Sequence, residues 1–445
     1  MEISRNLLAG ALSALGKLVS RTSPVEAYRS VLIEGKENKI SFRTTGNEES
    51  VTFTVDCENA GEFRVSVNFD AFRTAVKSGK NKTIVLDPDS ESLGVDNTLL
   101  VASRVEWPEI GGSAESAATA ELPENFVGLL AAAAPVVNRN EPRRALQGIH
   151  LCREGVVATN GKELLHIEIP LEVDPLTMPF PHALLTTKCN AGGMLTTLAK
   201  GDQRFFTVSL GNWTWTAKAL SGTFPNWKAV IPDKANLPHI VNLDDGRAEQ
   251  LAIFLKNAPG NPPNNPVTLC MGDDKASLDI LAGDMQTSVA AEFPVDWGEF
   301  DISVSKDILL RLLNAGHRTL DFSDNHAPFI ATGGIGTYIA MPLAHKVTQT
   351  VQPKQEEKPM NEMQPPVVAA PVAQPVAPKL EPEVPVNPLD ELAAAVEEFK
   401  TRLRGIFDES TILSRKVKEV ALAQKQKERD FIQAKRAIER IRMAI

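Results

Sequence analysis

The stretch Phe126-Val-Gly-Leu-Leu-Ala-Ala-Ala133 has apolar side chains at the i, i+3, i+4 and i+7 spacing of a helix that buries one face. Two other stretches of the 445-residue chain repeat this spacing, one roughly 120 residues earlier and one roughly 120 residues later. Their apolar positions are Ile3, Leu7, Leu8, Ala11, Leu15 and Leu18 in the first, and Leu251, Phe254, Leu255 and Ala258 in the last. Recurrence at a fixed interval predicts three copies of one structural unit.

Each predicted copy continues with strands, a second helix and more strands. We predict the second helices over residues 68–79, 190–201 and 305–316, each ending in a glycine suited to the left-handed C-cap. Alternating strand patterns follow, as in residues 207–217. The predicted fold class is α+β, with domains at residues 1–118, 119–235 and 236–345. Three ordinary α+β units that look alike by chance are the alternative.

Composition predicts a soluble, cytoplasmic protein of several domains. The chain is 43% hydrophobic, and its longest apolar run, residues 126–137, is too short to span a bilayer. The four cysteines are far apart and form no C-x-x-C motif, so we expect reduced thiols and neither a zinc site nor a disulfide framework.

Charge is distributed unevenly along the chain. The net charge is −9, and because residues 346–445 contribute +2, residues 1–345 hold about −11. An acidic body is a poor candidate for wrapping nucleic acid tightly, because phosphates are bound by Lys and Arg. It still allows a locally basic surface on an otherwise acidic protein.

The chain changes character after residue 345. Residues 346–388 contain ten prolines, no glycine and no aromatic residue, which predicts an extended, flexible linker. Residues 389–445 show a 3-4 apolar spacing from Leu392 to Ile445, interrupted at Ser410, Gln424 and Lys427, which predicts a helical tail. An intermolecular coiled coil and a helical hairpin broken near Gly405 both fit this pattern.

No catalytic constellation emerges from the sequence. Gly79-Lys80 lacks the upstream glycine of a phosphate loop, and residues 333–336 fit a hairpin turn better than a dinucleotide-binding loop. The histidines lack metal spacing, and the paired aspartates at 244–245 and 273–274 lie where helix starts and turns favour Asp. We therefore expect a non-enzymatic binding protein without a metal or cofactor.

Three segments resemble the bacterial sliding clamp, the β subunit of DNA polymerase III. Residues 144–165 and 222–232, which include Arg144-Ala-Leu-Gln-Gly-Ile-His-Leu151 and Gly222-Thr-Phe-Pro-Asn-Trp-Lys228, are similar to the central domain of that family. Residues 304–343, which end in Met341-Pro342-Leu343, are similar to its last domain. The order and spacing of these segments match the family over residues 1 to about 345.

The resemblance implies a ring of two copies in which paired helices line a hole around double-stranded DNA and sheets form the outside. Binding would be independent of base sequence, and the partners would include a DNA polymerase and a clamp loader. The tail lies beyond the part of the chain that the resemblance covers, and we expect it to recruit a further protein or to self-associate. Basic residues compatible with the inner surface are Arg5, Lys17, Arg21, Arg73, Lys77, Arg139, Arg144, Lys200 and Arg311.

The resemblance also implies an apolar pocket between the second and third domains that binds peptides of partner proteins. Lys162-Glu163 replaces the usual His-Arg pair, Ala229 replaces a frequent basic residue, and the chain continues beyond the Met-Pro segment. Partner peptides are therefore expected to differ from the common ones. The pocket walls would be Leu146, Thr159, Gly161, Leu164, Pro225, Val230, Ile339, Met341, Pro342 and Leu343.

Two functions are compatible with these patterns. The first is a DNA sliding clamp, a processivity factor that tethers a polymerase. The second is a clamp-fold scaffold, of phage or mobile-element origin, that assembles partners through its tail without encircling DNA.

Overall fold

The computed structural model of the chain describes residues 1–112, 115–260, 262 and 264–343. The predicted linker 346–388 and helical tail 389–445 lie outside the described residues, and they stay predictions. Within the described ranges one order of elements occurs three times: a strand, a helix, four strands, a second helix and three strands.

The three copies of this order are called repeats 1, 2 and 3. Repeat 1 contains β1 (Glu2–Ser4), α1 (Arg5–Leu15), β2 (Ser30–Lys36), β3 (Lys39–Thr45), β4 (Glu49–Asp56), β5 (Phe63–Asn68), α2 (Phe69–Ser78), β6 (Thr83–Pro88), β7 (Ser92–Val95) and β8 (Thr98–Val101). Repeat 2 contains β9 (Glu115–Leu122), α3 (Phe126–Ala133), β10 (Gly148–Cys152), β11 (Gly155–Thr159), β12 (Glu163–Glu168), β13 (Leu176–Pro179), α4 (His182–Thr187), β14 (Gly193–Lys200), β15 (Gln203–Leu210) and β16 (Trp213–Lys218). Repeat 3 contains β17 (His239–Asn242), α5 (Asp245–Asn257), β18 (Pro266–Met271), β19 (Ser277–Ala282), β20 (Met285–Ala290), β21 (Asp301–Ser305), α6 (Lys306–Asn314), β22 (Thr319–Phe322), β23 (Phe329–Thr332) and β24 (Thr337–Ala340).

The repeat predicted from helix spacing is therefore confirmed, with shifted edges. Strand β9 runs across the predicted boundary between residues 118 and 119, and Ile3 lies on β1, before the first helix starts. Helix α1 also ends at Leu15, so Leu18 lies beyond its last turn.

Two eight-stranded sheets join neighbouring repeats. One has the order β5-β2-β3-β4-β16-β15-β14-β9 and joins repeat 1 to repeat 2. The other, β13-β10-β11-β12-β24-β23-β22-β17, joins repeat 2 to repeat 3 in the same way. Two four-stranded sheets remain, β1-β6-β7-β8 in repeat 1 and β20-β19-β18-β21 in repeat 3.

Antiparallel pairing between β4 and β16 makes the first junction. Phe53 lies opposite Trp213, and their ring centroids are 4.7 Å apart. The Trp215 indole N–H donates to Glu49 Oε2 at 2.9 Å. Burial raises the pKa of Glu49, and the Trp215 hydrogen bond acts against that rise. The junction is thus a packed, hydrogen-bonded interior in which repeats 1 and 2 share one continuous sheet.

The helices pack against the sheets through apolar faces. Helix α2 buries Phe69, Phe72, Ala75 and Val76, and α1 packs against both α2 and, across the junction, α4. A separate apolar cluster forms where the segment that connects repeats 2 and 3 crosses β11, β12 and β24, with Trp227 and Leu237 on Leu164 and Ile339. None of the described helices is long and apolar enough to cross a membrane.

The predicted helix over residues 190–201 is wrong. Residues 193–200 form β14, which pairs with β9 on one side and β15 on the other, and the second helix of repeat 2 is the shorter α4. Leu195 and Leu198 have helical i, i+3 spacing. In the structure, however, Leu195 and Thr197 are buried and Thr196 between them is not, an alternation that is typical of a strand. Pairing on both edges stabilises the strand despite that helical spacing.

The three glycines predicted to cap second helices have different conformations. Gly316 follows α6 with φ +88°, as predicted, and Gly201 lies in the turn between β14 and β15 with φ +56°. Gly79 is extended, with φ −73° and ψ 148°. A Cβ atom at Gly79 would collide with the guanidinium of Arg5, so close approach and not left-handed backbone explains this glycine.

Burial of His317 predicts acid sensitivity. Its side chain is fully buried beside Tyr338, neither ring nitrogen has a hydrogen-bond partner among the described residues, and burial together with the charge of Arg318 lowers its pKa to about 4. The unfolded chain therefore binds a proton that the folded chain does not between pH 6.5 and pH 4. The free energy of unfolding is therefore unaffected by protonation of His317 above pH 6.5. It falls as the pH falls, by ~2 kcal/mol at pH 5.

We expect the melting temperature of His317→Phe, which keeps a ring against Tyr338, to fall less between pH 7 and pH 5 than that of the unmodified chain. Thermal unfolding followed by circular dichroism at both pH values measures the difference. Equal losses in the two proteins would contradict a neutral, buried His317.

Candidate functional site

A cavity of about 240 Å³ lies between repeats 2 and 3. Its floor is made where β12 and β24 pair, with Leu164 opposite Ile339. The connecting segment forms another wall, because a short 3-10 turn, Trp227–Val230, turns Trp227 onto the apolar cluster and leaves Val230 exposed. The lining residues are Arg143, Leu146, Thr159, Gly161, Lys162, Glu163, Leu164, Pro225, Asn226, Trp227, Val230, Pro328, Ile339, Ala340 and Met341.

Eight of the ten residues predicted for the pocket line this cavity: Leu146, Thr159, Gly161, Leu164, Pro225, Val230, Ile339 and Met341. The other two, Pro342 and Leu343, are not among its lining residues. Leu343 continues the chain past the cavity and donates its N–H to the Ser303 carbonyl at 2.7 Å.

The loop between β11 and β12 shapes one rim of the cavity. Asn160 Oδ1 accepts the N–H groups of Lys162 and Glu163 at 3.0 and 3.2 Å, and Gly161 has φ +82°. This Asx turn fixes the loop, and the positive φ favours glycine at 161. The rim also carries cations, since Arg143 and Lys162 are exposed while the Glu163 side chain is buried.

A second group of basic residues lies where α1 and α4 meet. Lys17 is in the turn after α1, and Arg139 donates to His182 Nε2 at 2.7 Å and stacks over the Phe180 ring at 5.2 Å. Burial lowers the pKa of His182, and the positive charges of Arg139 and Lys17 lower it further. His182 is thus kept neutral at pH 7 within a cationic cluster.

Helix α2 presents more of the predicted basic residues. Arg73 and Lys77 border a shallow hollow on its surface together with Asp70. Arg21 makes a two-point contact with the Asp70 carboxylate, at 2.7 and 3.0 Å, on the exposed side of the same helix. Five predicted cations, Lys17, Arg21, Arg73, Lys77 and Arg139, therefore lie on or beside the helices of repeats 1 and 2.

Two of the cations predicted for the helix-lined surface do not lie exposed on a helix. Arg5 is only 7% exposed, and it donates to the carbonyls of Val76, Asn81 and Thr83 and to Asp96. It joins the start of α1 to the end of α2 and cannot face a ligand. Lys200 lies at the end of strand β14 and not on a helix, because the helix predicted there does not form.

The remaining two predicted cations form ion pairs with residues of a neighbouring repeat. Arg144 pairs with Glu48 of repeat 1 at 2.8 Å. Arg311 on α6 pairs with the buried Glu163 of repeat 2 at 2.6 Å, which leaves its side chain 32% exposed. Both cations link neighbouring repeats, and a carboxylate of the other repeat already engages each of them.

Several site residues were missed in the sequence. Trp227 and Pro328 line the cavity, and His182 belongs to the cationic cluster, but none has a spacing that distinguishes it. Arg143 directly precedes the segment at residues 144–151 that resembles the clamp family, and this position is the sequence signal by which it could have been found. The sequence marks Glu163 only as a departure from the usual pattern, although four hydrogen bonds converge on its carboxylate.

The acidic residues considered for chemistry have structural partners. Asp244 caps α5 by accepting the N–H of Arg247 at 2.8 Å, and Asp274 accepts from Ala276 and Ser277 in a turn. Within residues 1–343, apart from the undescribed positions, no group of three His, Cys, Asp or Glu side chains could hold a metal ion.

Comparison with known proteins gives one consistent group. No protein-family model matches the chain. The β sliding clamp of Chlamydia trachomatis is 22% identical over 267 residues, which is 57% of this chain and 63% of that protein. The chain thus spans less than two thirds of this relative. The β sliding clamp of Chlamydia pneumoniae is 22% identical over 375 residues, 77% of this chain and 98% of that protein.

Solved structures of the same name superpose on most of the described residues. The DNA polymerase sliding clamp of Pseudomonas aeruginosa has a TM-score of 0.65 at 19% identity, covering 78% of this chain and 99% of its own. The Helicobacter pylori β clamp bound to a DNA ligase peptide has a TM-score of 0.64 at 17% identity, covering 77% of this chain and 99% of its own.

Proposed function

We propose that this chain, which has the fold of the bacterial β sliding clamps, is a DNA sliding clamp. Two copies join head to tail into a ring around duplex DNA and tether a DNA polymerase or another replication or repair protein. A sliding clamp is a processivity factor and performs no chemical step itself. The observation that carries the proposal is the pair of incomplete sheets at the two ends of the repeat array.

Equivalent strands meet at both junctions within the chain. The last strand of repeat 2, β16, pairs with β4 of repeat 1, and the last strand of repeat 3, β24, pairs with β12 of repeat 2. By the same rule β8, the last strand of repeat 1, needs a partner equivalent to β4 and β12. That strand is β20 of repeat 3, which is an edge strand within the described part of the chain. Pairing β8 of one copy with β20 of another completes a third eight-stranded sheet.

The surfaces of these edges support such a contact. Leu99 and Val101 on β8 are 72% and 81% exposed, and Leu281 and Met285 beside the turn that leads into β20 are also exposed. An exposed apolar edge strand is a site for pairing with another chain. Because the contact joins different surfaces of identical copies, it is heterologous and closes into a ring when the rotation permits.

The helix layer supports binding to duplex DNA. The helices form one layer across the junction of repeats 1 and 2, because α1 packs on α4. On or beside the helices of this layer lie Lys17, Arg73, Lys77 and Arg139. Phosphates attract these cations without regard to base sequence. A net charge of −9 for the whole chain limits tight adhesion, which suits a ring that holds DNA by enclosing it.

The cavity supports the tethering part of the proposal. Nine of its fifteen lining residues are Leu, Ile, Val, Pro, Met, Ala or Trp, which suit the apolar side chains of a short peptide. The Helicobacter pylori clamp binds a DNA ligase peptide, and we assign the equivalent role in this chain to the cavity between repeats 2 and 3. Polymerase and clamp-loader peptides are the proposed occupants.

Retention on circular DNA tests the proposed function. Full-length chain dissociated by dilution is concentrated again with nicked circular plasmid and passed through a gel-filtration column. We expect protein to elute with the circular plasmid and to be lost from the same plasmid after linearisation, because a ring slides off free ends. Equal retention on both forms, or none on either, would contradict encirclement.

A further inference from the structure

A buried charge cluster joins repeats 2 and 3 beneath the cavity. Glu163 is the first residue of β12, and its side chain is fully buried. Its carboxylate accepts hydrogen bonds from Arg311 Nη2 at 2.6 Å, Arg311 Nε at 3.2 Å and Asn160 Nδ2 at 2.6 Å. The hydroxyl of Tyr338 donates to the same carboxylate. Asn160 belongs to repeat 2, whereas Arg311 and Tyr338 belong to repeat 3.

The protonation states of the cluster suit these bonds. Burial opposes the charge on Arg311, but the Glu163 carboxylate outweighs it and the pKa of Arg311 is raised. Burial, and then the negative charge of Glu163, raise the pKa of Tyr338. Arg311 therefore stays cationic and Tyr338 stays a donor at neutral pH. Two-point contact between a guanidinium and a carboxylate fixes the direction of both side chains.

Both walls of the cavity are attached to this cluster. On the repeat 2 side, Glu163 precedes the wall residue Leu164, and its carbonyl accepts from the Thr159 hydroxyl at 2.7 Å. On the repeat 3 side, Tyr338 precedes the wall residue Ile339. The N–H of Met341 donates to the Lys162 carbonyl at 2.9 Å, which closes the same corner. The cluster thus ties the loop of residues 160–163 at the cavity rim, and the start of β12, to α6 and β24 of repeat 3.

We infer that Glu163, Arg311 and Tyr338 are positioning residues for the peptide site: they fix the loop of residues 160–163 at its rim relative to α6 and β24 through a charge pair whose carboxylate is buried. This inference rests on the proposed function of the cavity. Peptide affinity then depends on the ion pair between repeats as well as on the apolar walls. A cluster that served folding alone would leave the affinity of the folded protein unchanged.

The probe is a seven-residue peptide selected by phage display on the full-length chain and counter-selected on the Val230→Asp variant, which places a charge at an exposed position of the cavity wall. If no such peptide is obtained, the proposed function of the cavity fails, separately from the inference about the cluster. With the probe in hand, affinity is measured by fluorescence polarisation, and folding by circular dichroism and solution mass.

We expect Glu163→Gln and Arg311→Gln each to weaken peptide binding at least about tenfold in protein of unchanged mass and secondary structure. The double variant Glu163→Gln/Arg311→Gln is expected to lose less than the product of the two single losses, because its amides can bond to each other. The matched control is Glu154→Gln, which breaks the exposed pair with Lys228 beside the same cavity. It should leave affinity unchanged.

Affinities within twofold of the unmodified chain in the folded single variants would overturn the inference, as would single losses that simply multiply in the double variant. If Glu163→Gln does not fold, Tyr338→Phe carries the test, since it removes one hydroxyl and keeps the buried ring. A threefold or greater loss is then expected, and unchanged affinity overturns the inference.

Discussion

Leu99→Lys/Val101→Lys is expected to convert the dimer into monomers. Both side chains lie on the exposed edge strand β8, which we propose to pair with β20 of a second copy. Pairing of the strands would remove water from the two charged lysine side chains, which costs free energy and disfavours the contact. Charged edge residues are a common means of preventing strand pairing. We expect the dimer dissociation constant to rise about 100-fold or more, equivalent to ~3 kcal/mol.

Light scattering over a concentration series measures this shift, with the dimer at twice the chain mass of 48.3 kDa. Val25→Lys is the control, because it places a lysine at another exposed apolar position of repeat 1, away from any strand edge. Circular dichroism checks that the variant folds. A folded edge variant that stays dimeric at the same concentrations would exclude β8 from the contact between copies.

Leu164→Ala/Met341→Ala is expected to weaken binding of the selected peptide about 100-fold while the dimer persists. Each truncation removes apolar contact from a cavity wall, at ~1.4 kcal/mol for each tenfold loss. Met341 is 42% exposed, so its truncation has little effect on folding, whereas Leu164 is 4% exposed and also packs in the cluster around Trp227.

Leu165→Ala is the matched control for the buried truncation. Leu165 is fully buried on the neighbouring position of β12, faces the opposite side of the sheet and does not line the cavity. It should reduce stability to a similar degree and leave peptide affinity near that of the unmodified chain. Equal losses of affinity in Leu165→Ala and the cavity variant would mean that destabilisation, and not the cavity, governs binding.

Local patterns in the sequence predicted most helices and strands but not their long-range pairing. Helical spacing identified α1, α3, α5, α2 and α6, because each buries one apolar face. It failed at β14, where Leu195 and Leu198 imitate a helix and the strands on either side decide the structure. Pairing of β4 with β16 involves backbone groups that carry no side-chain signal.

At the candidate site, too, the sequence predicted the local motifs but not the long-range contacts. The resemblance predicted eight of the cavity residues, because Leu164, Ile339 and Met341 lie within matching motifs. It gave no indication that Arg5 is buried by contacts 71 to 91 residues away in the chain, or that Glu163 and Arg311, 148 residues apart, form one ion pair. Such partners are set by the tertiary fold, which spacing along the chain does not record.

Cross-linking of the proposed ring on DNA decides between an enclosing clamp and an open one. Leu99→Cys and Thr287→Cys place one thiol on each edge strand, β8 and β20, in a chain whose half-buried Cys189 and Cys270 are replaced by serine. Copies dissociated by dilution are concentrated with nicked circular plasmid, joined with a bis-maleimide reagent, and treated with sodium dodecyl sulfate. We predict that the protein stays on the circular plasmid in detergent and is released when the plasmid is cut. Dimers cross-linked at both interfaces that leave the intact circle in detergent would contradict a ring closed around DNA through β8 and β20.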